Sequence, residues 1–191
     1  MARTPSTMLE LGTVVPDFSL EDTDGLLRRP KDRPTGQPLV VMFISNHCPF
    51  VINMKPALAR FGQDYAAAVT VYAIGSNDIK KYPQDGPDHS RADKAKYGYP
   101  FPYLHDAKQA VARKFRAACT PDFYLFDGND RLVYRGQFDD SRPGNDIEPD
   151  GSDLRAACDA ILTGRAVDDH QKPSLGCSIK WAPGNEPDYF G

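Results

Sequence analysis

One cysteine stands where a polypeptide chain can make a thiol reactive. Cys48 comes shortly after the apolar run of residues 39–44 and directly before Pro49, where a helical pattern begins. Proline suits the first position of a helix, since its missing N–H would have no partner there. The dipole and unpaired N–H groups of a helix N-terminus stabilise negative charge, which lowers the pKa of a thiol and favours the nucleophilic thiolate. Cys48 is therefore a candidate nucleophile.

The residues before Cys48 carry further polar groups. Ser45 lies three residues earlier, and its hydroxyl could donate a hydrogen bond to the Cys48 sulfur. His47 adjoins the thiol and either tunes its pKa, orients a substrate or is a solvated loop residue. The alternative for Cys48 itself is a buried thiol that packs as a small apolar side chain. The pattern alone does not choose between these hypotheses.

The other cysteines do not form a metal-binding or disulfide pattern. Cys119, Cys158 and Cys177 are widely spaced, and no two of the four cysteines form a C-x-x-C pair. Such usage favours reduced thiols over a disulfide framework. A structural zinc site usually shows two close ligand pairs, and these are lacking. We expect no cofactor and no metal; a mononuclear site made by His47, Cys48 and Cys119 is a weaker alternative.

Length and composition limit the class of protein. The 191 residues are 40% hydrophobic and 26% charged, which is typical of one globular domain with at most a small extension. The net charge of −3 argues against a nucleic-acid-binding face. The longest apolar run, residues 38–44, is far shorter than the roughly 20 residues that span a bilayer. The N-terminus does not resemble a signal peptide. We therefore expect a cytoplasmic protein without nucleic-acid or membrane partners.

Strands and helices alternate around the Cys48 junction. Apolar runs predict strands at residues 39–44 and 69–76, and a later hairpin at 122–126 and 132–138. Helical patterns cover residues 50–68, 90–98, 107–117 and 152–162, with Ser90 and Ser152 as predicted N-caps and Gly98 at a helix end. Residues 16–20 predict a short N-terminal strand or hairpin. The fold class is α/β, with a central mixed β-sheet flanked by helices.

Several separated motifs resemble the thioredoxin superfamily, and within it the peroxiredoxin-like branch of redoxin-domain proteins. The motifs are Val15-Pro16-Asp17-Phe18, the strand at 39–44, Asn46-His47-Cys48-Pro49, Thr120-Pro121 and the tail segment Gly176-Cys177-Ser178-Ile179-Lys180-Trp181. Together they span about residues 11–181. The resemblance implies a thioredoxin-like fold for residues 9–165, with an N-terminal strand or hairpin extension and a C-terminal tail, residues 166–191, packed on the domain.

The junction departs from the C-x-x-C of thioredoxins, because Ser45 occupies the first position. A dithiol couple within one turn cannot form, whereas Ser45 and Cys48 are similar to the hydroxyl and the peroxide-reacting cysteine of peroxiredoxins. Two peroxiredoxin features are missing or displaced: Val41 stands where the family has proline, and Tyr134 where it has the activating arginine. Arg135 is adjacent, but neighbouring strand residues face opposite ways unless a bulge intervenes. Peroxide activation should then be poor.

The resemblance also assigns roles around the second motif. Pro121 matches the family's cis-proline, which brings the backbone of Thr120 beside the sulfur of Cys48. Cys119 is then a candidate resolving thiol, or else a buried packing residue. Cys177 could fold back toward the site, but we predict a packing role for it.

These residues lead to one hypothesis and two alternatives. The hypothesis is a thiol oxidoreductase whose site comprises Cys48, Ser45, Thr120, Pro121 and Cys119. Cys48 attacks either a peroxide, giving a sulfenic acid that Cys119 or an external thiol resolves, or a protein or small-molecule disulfide, giving a mixed disulfide. If Ser45 replaces a native cysteine, the natural protein is a C-x-x-C disulfide reductase. The other alternative is a non-catalytic redoxin domain that serves as a binding module.

Overall fold

A five-stranded mixed sheet forms the centre of the molecule in the computed structural model, which describes residues 3–190. In spatial order, its strands are β6 (Tyr103–His105), β5 (Thr70–Gly75), β4 (Leu39–Phe43), β8 (Asp122–Phe126) and β9 (Leu132–Gly136). Strands β4, β5 and β6 are parallel, while β8 is antiparallel to β4 and β9 to β8. The predicted hairpin therefore extends the sheet on one side, and the α/β class with a mixed sheet is confirmed.

Strand β4 explains why its sequence is apolar throughout. Val40 and Met42 belong to one buried cluster, and Leu39, Val41 and Phe43 belong to the other. Since successive side chains of a strand point to opposite faces, a strand covered on both faces needs apolar residues at every position. All five residues are completely buried. This packing fixes the end of β4, where the Cys48 segment begins.

Within residues 3–190, four α-helices cover the sheet and its edge: α1 (Pro49–Tyr65), α2 (Pro87–Tyr97), α3 (Ala110–Lys114) and α4 (Ser152–Leu162). Helices α1 and α4 contribute their buried residues to the cluster that contains Val40, and α3 contributes Val111 and Ala112 to the opposite cluster. The helix predicted at residues 107–117 is shorter than expected, because Gln109 adopts a left-handed conformation with φ of 56° immediately before it.

Both predicted serine N-caps are wrong. Helix α2 begins at Pro87 after Gly86, and Ser90 lies inside it as a buried residue. Gly151, rather than Ser152, is the N-cap of α4, with a φ of 74° that favours glycine. The predicted end of α2 is confirmed, since Gly98 adopts the left-handed conformation that commonly terminates helices.

Short strands at the two chain ends complete the fold. The N-terminal hairpin consists of β2 (Leu20–Glu21) and β3 (Leu27–Arg28), so its first strand begins later than residues 16–20 predicted. A second sheet places β10 (Leu175–Ser178) between β1 (Thr4–Pro5) and β7 (Cys119–Thr120). Within residues 3–190, no helix is both long and apolar enough to cross a membrane.

Candidate active site

Cys48 is the N-cap of α1, directly after the segment that leaves β4. Pro49 occupies the first helical position, and the Cys48 residue has no exposed surface. Its Sγ lies 3.1 Å from the carbonyl oxygen of Thr120, to which the protonated thiol donates a hydrogen bond. The Thr120–Pro121 peptide bond is cis. The structure thus brings Cys48, Thr120 and Pro121 together, as the resemblance implies.

Ser45 does not serve the Cys48 sulfur as expected. Its hydroxyl donates to Oδ1 of Asp85 at 3.0 Å and lies 3.2 Å from Nδ1 of His47. Asp85, which precedes α2, is buried and accepts hydrogen bonds from both the Ser45 hydroxyl and the Asn46 backbone N–H. The imidazole of His47 pairs with the other Asp85 oxygen at 2.7 Å and stacks on Tyr82. Ser45 and His47 are therefore anchored to Asp85.

Asn46 fixes the same segment from its other side. Its backbone N–H donates to Asp85 at 2.8 Å, and its side chain bonds to Ser90 and to the hydroxyl of Tyr103. The ammonium group of Lys55 donates to the Asn46 carbonyl oxygen at 2.9 Å. These hydrogen bonds tie the segment that precedes Cys48 to α1, α2 and β6.

The tail approaches the sulfur through strand β10. In the pairing of β10 with β7, Cys177 stands opposite Thr120 and Ser178 opposite Cys119. Gly176 makes this approach possible, because a Cβ atom there would lie 2.0 Å from the Thr120 carbonyl oxygen. Cys177, predicted to be a packing residue, therefore lies beside the candidate nucleophile.

The thiols of Cys48 and Cys177 form a hydrogen-bonded pair. This hydrogen bond is the largest influence on the pKa of Cys48 and lowers it, with help from the backbone N–H of Val51, while burial acts in the opposite direction. The same hydrogen bond raises the pKa of Cys177, and burial adds to the effect. The pair therefore loses its first proton below the ordinary thiol range and its second above it. The resulting thiolate is stabilised at Cys48.

The remaining cysteines have environments that disfavour thiolates. Burial, aided by the charge of Asp122, raises the pKa of Cys119 well above its ordinary value, and its thiol donates to the Pro121 carbonyl oxygen at 3.6 Å. Burial likewise raises the pKa of Cys158 to about 12. No disulfide joins the four cysteines, all of which lie within the described residues. Cys119 is near the site, but its thiol is held by another acceptor.

The arginine that could activate a peroxide lies elsewhere. Arg135 donates from Nε to the Leu9 carbonyl oxygen at 2.9 Å and from Nη1 to Gln171 at 2.8 Å. Tyr134, at the position expected for the family's arginine, donates its hydroxyl to the Gln137 carbonyl oxygen at 2.5 Å. A register shift in the β8–β9 pairing lies between Leu125 and Phe126, and Arg135 nevertheless faces the N-terminal segment.

The alternative metal site is not formed. In residues 3–190, the only group of three or more histidine, cysteine or acidic side chains with converging ligand atoms is Asp168, Asp169 and His170, which are exposed. His47, Cys48 and Cys119 do not converge, because His47 is directed to Asp85 and Cys119 to Pro121.

One residue of the site, Asp85, was not among the candidates from the sequence, and Cys177 was named there only with packing as its preferred role. Asp85 lies in a segment rich in proline and polar residues, which predicts only a loop, and nothing local shows that it meets Ser45. For Cys177 a signal existed: the glycine before it permits the close approach of two backbones. That signal marks a crowded position but does not identify its neighbour.

The sheet, the flanking helices and a cysteine at a helix N-terminus beside a cis-proline define a thioredoxin-like redoxin domain. The model of the AhpC/TSA family matches residues 11–135, and the chain belongs to this family. None of the curated proteins matches the sequence significantly.

Solved structures extend the similarity to nearly the whole chain. An uncharacterized conserved protein from Geobacillus kaustophilus is 48% identical, with 96% of this chain and 98% of that chain covered and a TM-score of 0.93. A hypothetical protein from Sinorhizobium meliloti 1021 is 49% identical, with 95% and 100% covered and a TM-score of 0.93. A secreted disulfide oxidoreductase from Mycobacterium tuberculosis, 17% identical with 75% and 96% covered, has a TM-score of 0.59 and shows the fold alone.

Proposed function

We propose that the protein is a thiol–disulfide oxidoreductase in which the Cys48 thiolate attacks a protein or small-molecule disulfide. The observation that carries the proposal is the Cys48 sulfur at the N-terminus of α1, where hydrogen bonding lowers its pKa. A thiolate is the form that attacks a disulfide sulfur, and a helix N-terminus stabilises it. The attack forms a mixed disulfide on Cys48 and releases one substrate thiolate.

The position of Arg135 favours a disulfide over a peroxide as the substrate. Its guanidinium is bonded to Leu9 and Gln171, so it does not supply positive charge for polarising a peroxide oxygen. A disulfide requires no such group, because its leaving sulfur is itself a stable thiolate. Thr120 and Pro121 would then position the sulfur, and Ser45 would anchor the segment before it.

We further propose a cytoplasmic location with an external thiol as reductant. The cytoplasm keeps such thiols reduced, which a catalytic cysteine requires between turnovers. A contribution to cell redox homeostasis follows from this chemistry, whereas an antioxidant role would require the peroxide reaction.

The substrate class is tested by the rate of Cys48 oxidation near neutral pH, measured by rapid quenching with an alkylating agent and peptide mass spectrometry. Oxidised glutathione and hydrogen peroxide are compared on the unaltered protein, on Cys48→Ser and on the matched control Cys158→Ser. We expect oxidised glutathione to react at Cys48 at least about tenfold faster than with free cysteine, and peroxide to react no faster than with free cysteine. Cys48→Ser should abolish the fast reaction and Cys158→Ser should retain it.

Other outcomes would support the alternatives. Rapid oxidation of Cys48 by peroxide to a sulfenic acid would favour a peroxidase. If neither oxidant reacts faster with Cys48 than with free cysteine, the proposal is wrong and the non-catalytic alternative is favoured.

A further inference from the structure

Strand β10 places a cysteine, Cys177, next to the Cys48 sulfur. Cys177 pairs in register with Thr120, and the Thr120 carbonyl oxygen is the acceptor 3.1 Å from the Cys48 sulfur. The absence of a side chain at Gly176 lets the two backbones come this close. Three separate features, the register, the glycine and the Cys48 contact, therefore converge on the same position.

The side chains of Cys48 and Cys177 are within hydrogen-bond contact of each other. The Cys177 thiol hydrogen-bonds to Cys48, and both residues belong to one buried cluster. Neighbouring sulfurs that share a hydrogen bond are suitably placed for thiol–disulfide exchange, which requires one sulfur to attack the other. The ionised member is Cys48, and Cys177 retains its proton until Cys48 has reacted.

Cys119 is the competing candidate on the adjacent position of β7. Its thiol donates to the Pro121 carbonyl oxygen, and it pairs with Ser178 rather than with Cys177. Burial is the main cause that raises the pKa of Cys119, and it persists throughout the reaction, whereas the pKa of Cys177 is raised mainly by its hydrogen bond to Cys48, which is lost once Cys48 has reacted. The contacts around Cys48 therefore favour Cys177 over Cys119.

We propose that Cys177 is the resolving thiol and that Cys48 and Cys177 form the redox couple of this protein, an inference that rests on the proposed function. Cys48 attacks a substrate disulfide R–S–S–R, forms Cys48–S–S–R and releases R–S⁻. Cys177 loses its proton to solvent and attacks the Cys48 sulfur, which forms the Cys48–Cys177 disulfide and releases the second R–S⁻. The substrate gains two electrons and the protein loses two. An external thiol reductant returns the two electrons together with one proton, which restores the Cys48 thiolate and the Cys177 thiol.

The couple replaces the C-x-x-C pair of thioredoxins by another route. Ser45 at the first position cannot form a disulfide, and its hydroxyl is bonded to Asp85. The second thiol comes instead from β10, which is distant from Cys48 in sequence. Closing the bridge therefore ties the tail to the start of α1.

The test combines trapping of the mixed disulfide on Cys48 with a measurement of the Cys48–Cys177 disulfide at equilibrium. Reduced protein is treated with oxidised glutathione, and the products are mapped by mass spectrometry in the unaltered chain, Cys177→Ser, Cys119→Ser and the control Cys158→Ser. We expect a Cys48–Cys177 disulfide without retained glutathione in the unaltered chain, in Cys119→Ser and in Cys158→Ser. Cys177→Ser should retain glutathione on Cys48, and this mixed disulfide should last at least about tenfold longer than in the unaltered chain. Long equilibration in a glutathione redox buffer measures the bridge independently of its rate of formation.

The outcomes separate the two proposals. Glutathione retained on Cys48 of the unaltered chain, or a Cys48–Cys119 bridge, would overturn the role of Cys177 while leaving Cys48 as the attacking thiol. A Cys48–Cys177 bridge that forms at equilibrium, but no faster than free cysteines react, would retain the couple and refute the proposed activity. No bridge under either condition would refute the couple.

Discussion

The chemistry of Cys48 depends on a donor from a distant part of the chain as well as on the helix that it caps. The Cys177 thiol is the main cause of the lowered Cys48 pKa, whereas the nearer Ser45 hydroxyl is bonded to Asp85. Replacing Cys177 and Ser45 in turn therefore separates the effect of the distant thiol on the Cys48 pKa from that of the local hydroxyl. Two variants at Cys177 further separate hydrogen bonding from disulfide formation.

Cys177→Ala removes the hydrogen bond and Cys177→Ser retains a hydroxyl donor. We expect the alanine variant to raise the apparent pKa of Cys48 by about one unit or more, and the serine variant to leave it close to the unaltered value. The pH dependence of Cys48 alkylation by iodoacetamide measures this pKa. An unchanged midpoint in Cys177→Ala would show that Cys177 does not stabilise the thiolate.

Ser45→Ala tests the local hydroxyl. Because Ser45 donates to Asp85, its removal should shift the pH midpoint of Cys48 alkylation by less than about 0.3 units, while the loss of one buried hydrogen bond lowers the free energy of unfolding by about 1 kcal/mol. Cys177→Ala in the same alkylation assay supplies the positive control. A midpoint shift as large as that of Cys177→Ala would mean that Ser45 acts on the sulfur.

At the scale of elements, the site is a junction of β4, α1, β7 and β10. Strand β4 and helix α1 are neighbours in sequence, and their packing on the sheet fixes Cys48. Strands β7 and β10 come from distant parts of the chain and meet only through backbone pairing. The position of Cys177 relative to Cys48 therefore depends on how closely these two strands approach.

Gly176→Ala should separate β10 from β7, because its Cβ would lie 2.0 Å from a backbone oxygen that cannot move aside easily. We expect a Cys48–Cys177 bridge that forms roughly tenfold more slowly, since the orientation of the two sulfurs is lost, together with faster alkylation of reduced Cys48. Gly75→Ala is the matched control, because its Cβ would meet its nearest neighbour at an ordinary 3.5 Å. Equal bridging rates in the two variants would contradict this role of Gly176.

For the whole molecule, the core contains a carboxyl group that couples stability to pH. Asp122 in β8 is fully buried, and its carboxylate accepts a hydrogen bond from Tyr124 at 2.8 Å. Burial nevertheless raises the pKa of Asp122 from 3.8 to about 7. Folding therefore favours the protonated carboxyl group. The contribution of Asp122 to the free energy of unfolding is greatest below about pH 4 and is lost as the pH rises toward about 7.

Asp122→Asn should remove this dependence, because the amide is neutral throughout. The unaltered protein should lose on the order of 4 kcal/mol of unfolding free energy between about pH 4 and pH 7 relative to Asp122→Asn. Chemical denaturation across this range measures the difference. The exposed Asp146→Asn is the control and should follow the unaltered protein. Parallel stability curves for Asp122→Asn and the unaltered protein would contradict the raised pKa.

The sequence by itself determined what depends on neighbouring residues. The apolar run of β4 specified a strand buried on both faces, and Pro49 marked the start of the helix that Cys48 caps. Together with the separated motifs, these features were sufficient for the mixed α/β fold and for Cys48 as the candidate nucleophile. Helix ends were less certain: the predicted serine caps failed because Gly86 and Gly151 begin the two helices instead.

Only the tertiary structure decided which groups surround the Cys48 sulfur. Asp85 binds the Ser45 hydroxyl, and Cys177 reaches Cys48, through contacts between segments that are distant in sequence. Residue types and spacing cannot specify such pairs, since a loop or tail can fold back in many ways with the same local pattern. The pairing of β10 with β7 and the packing of residues 77–89 against β4 select one arrangement. Those contacts made Cys177, rather than Cys119, the thiol beside Cys48.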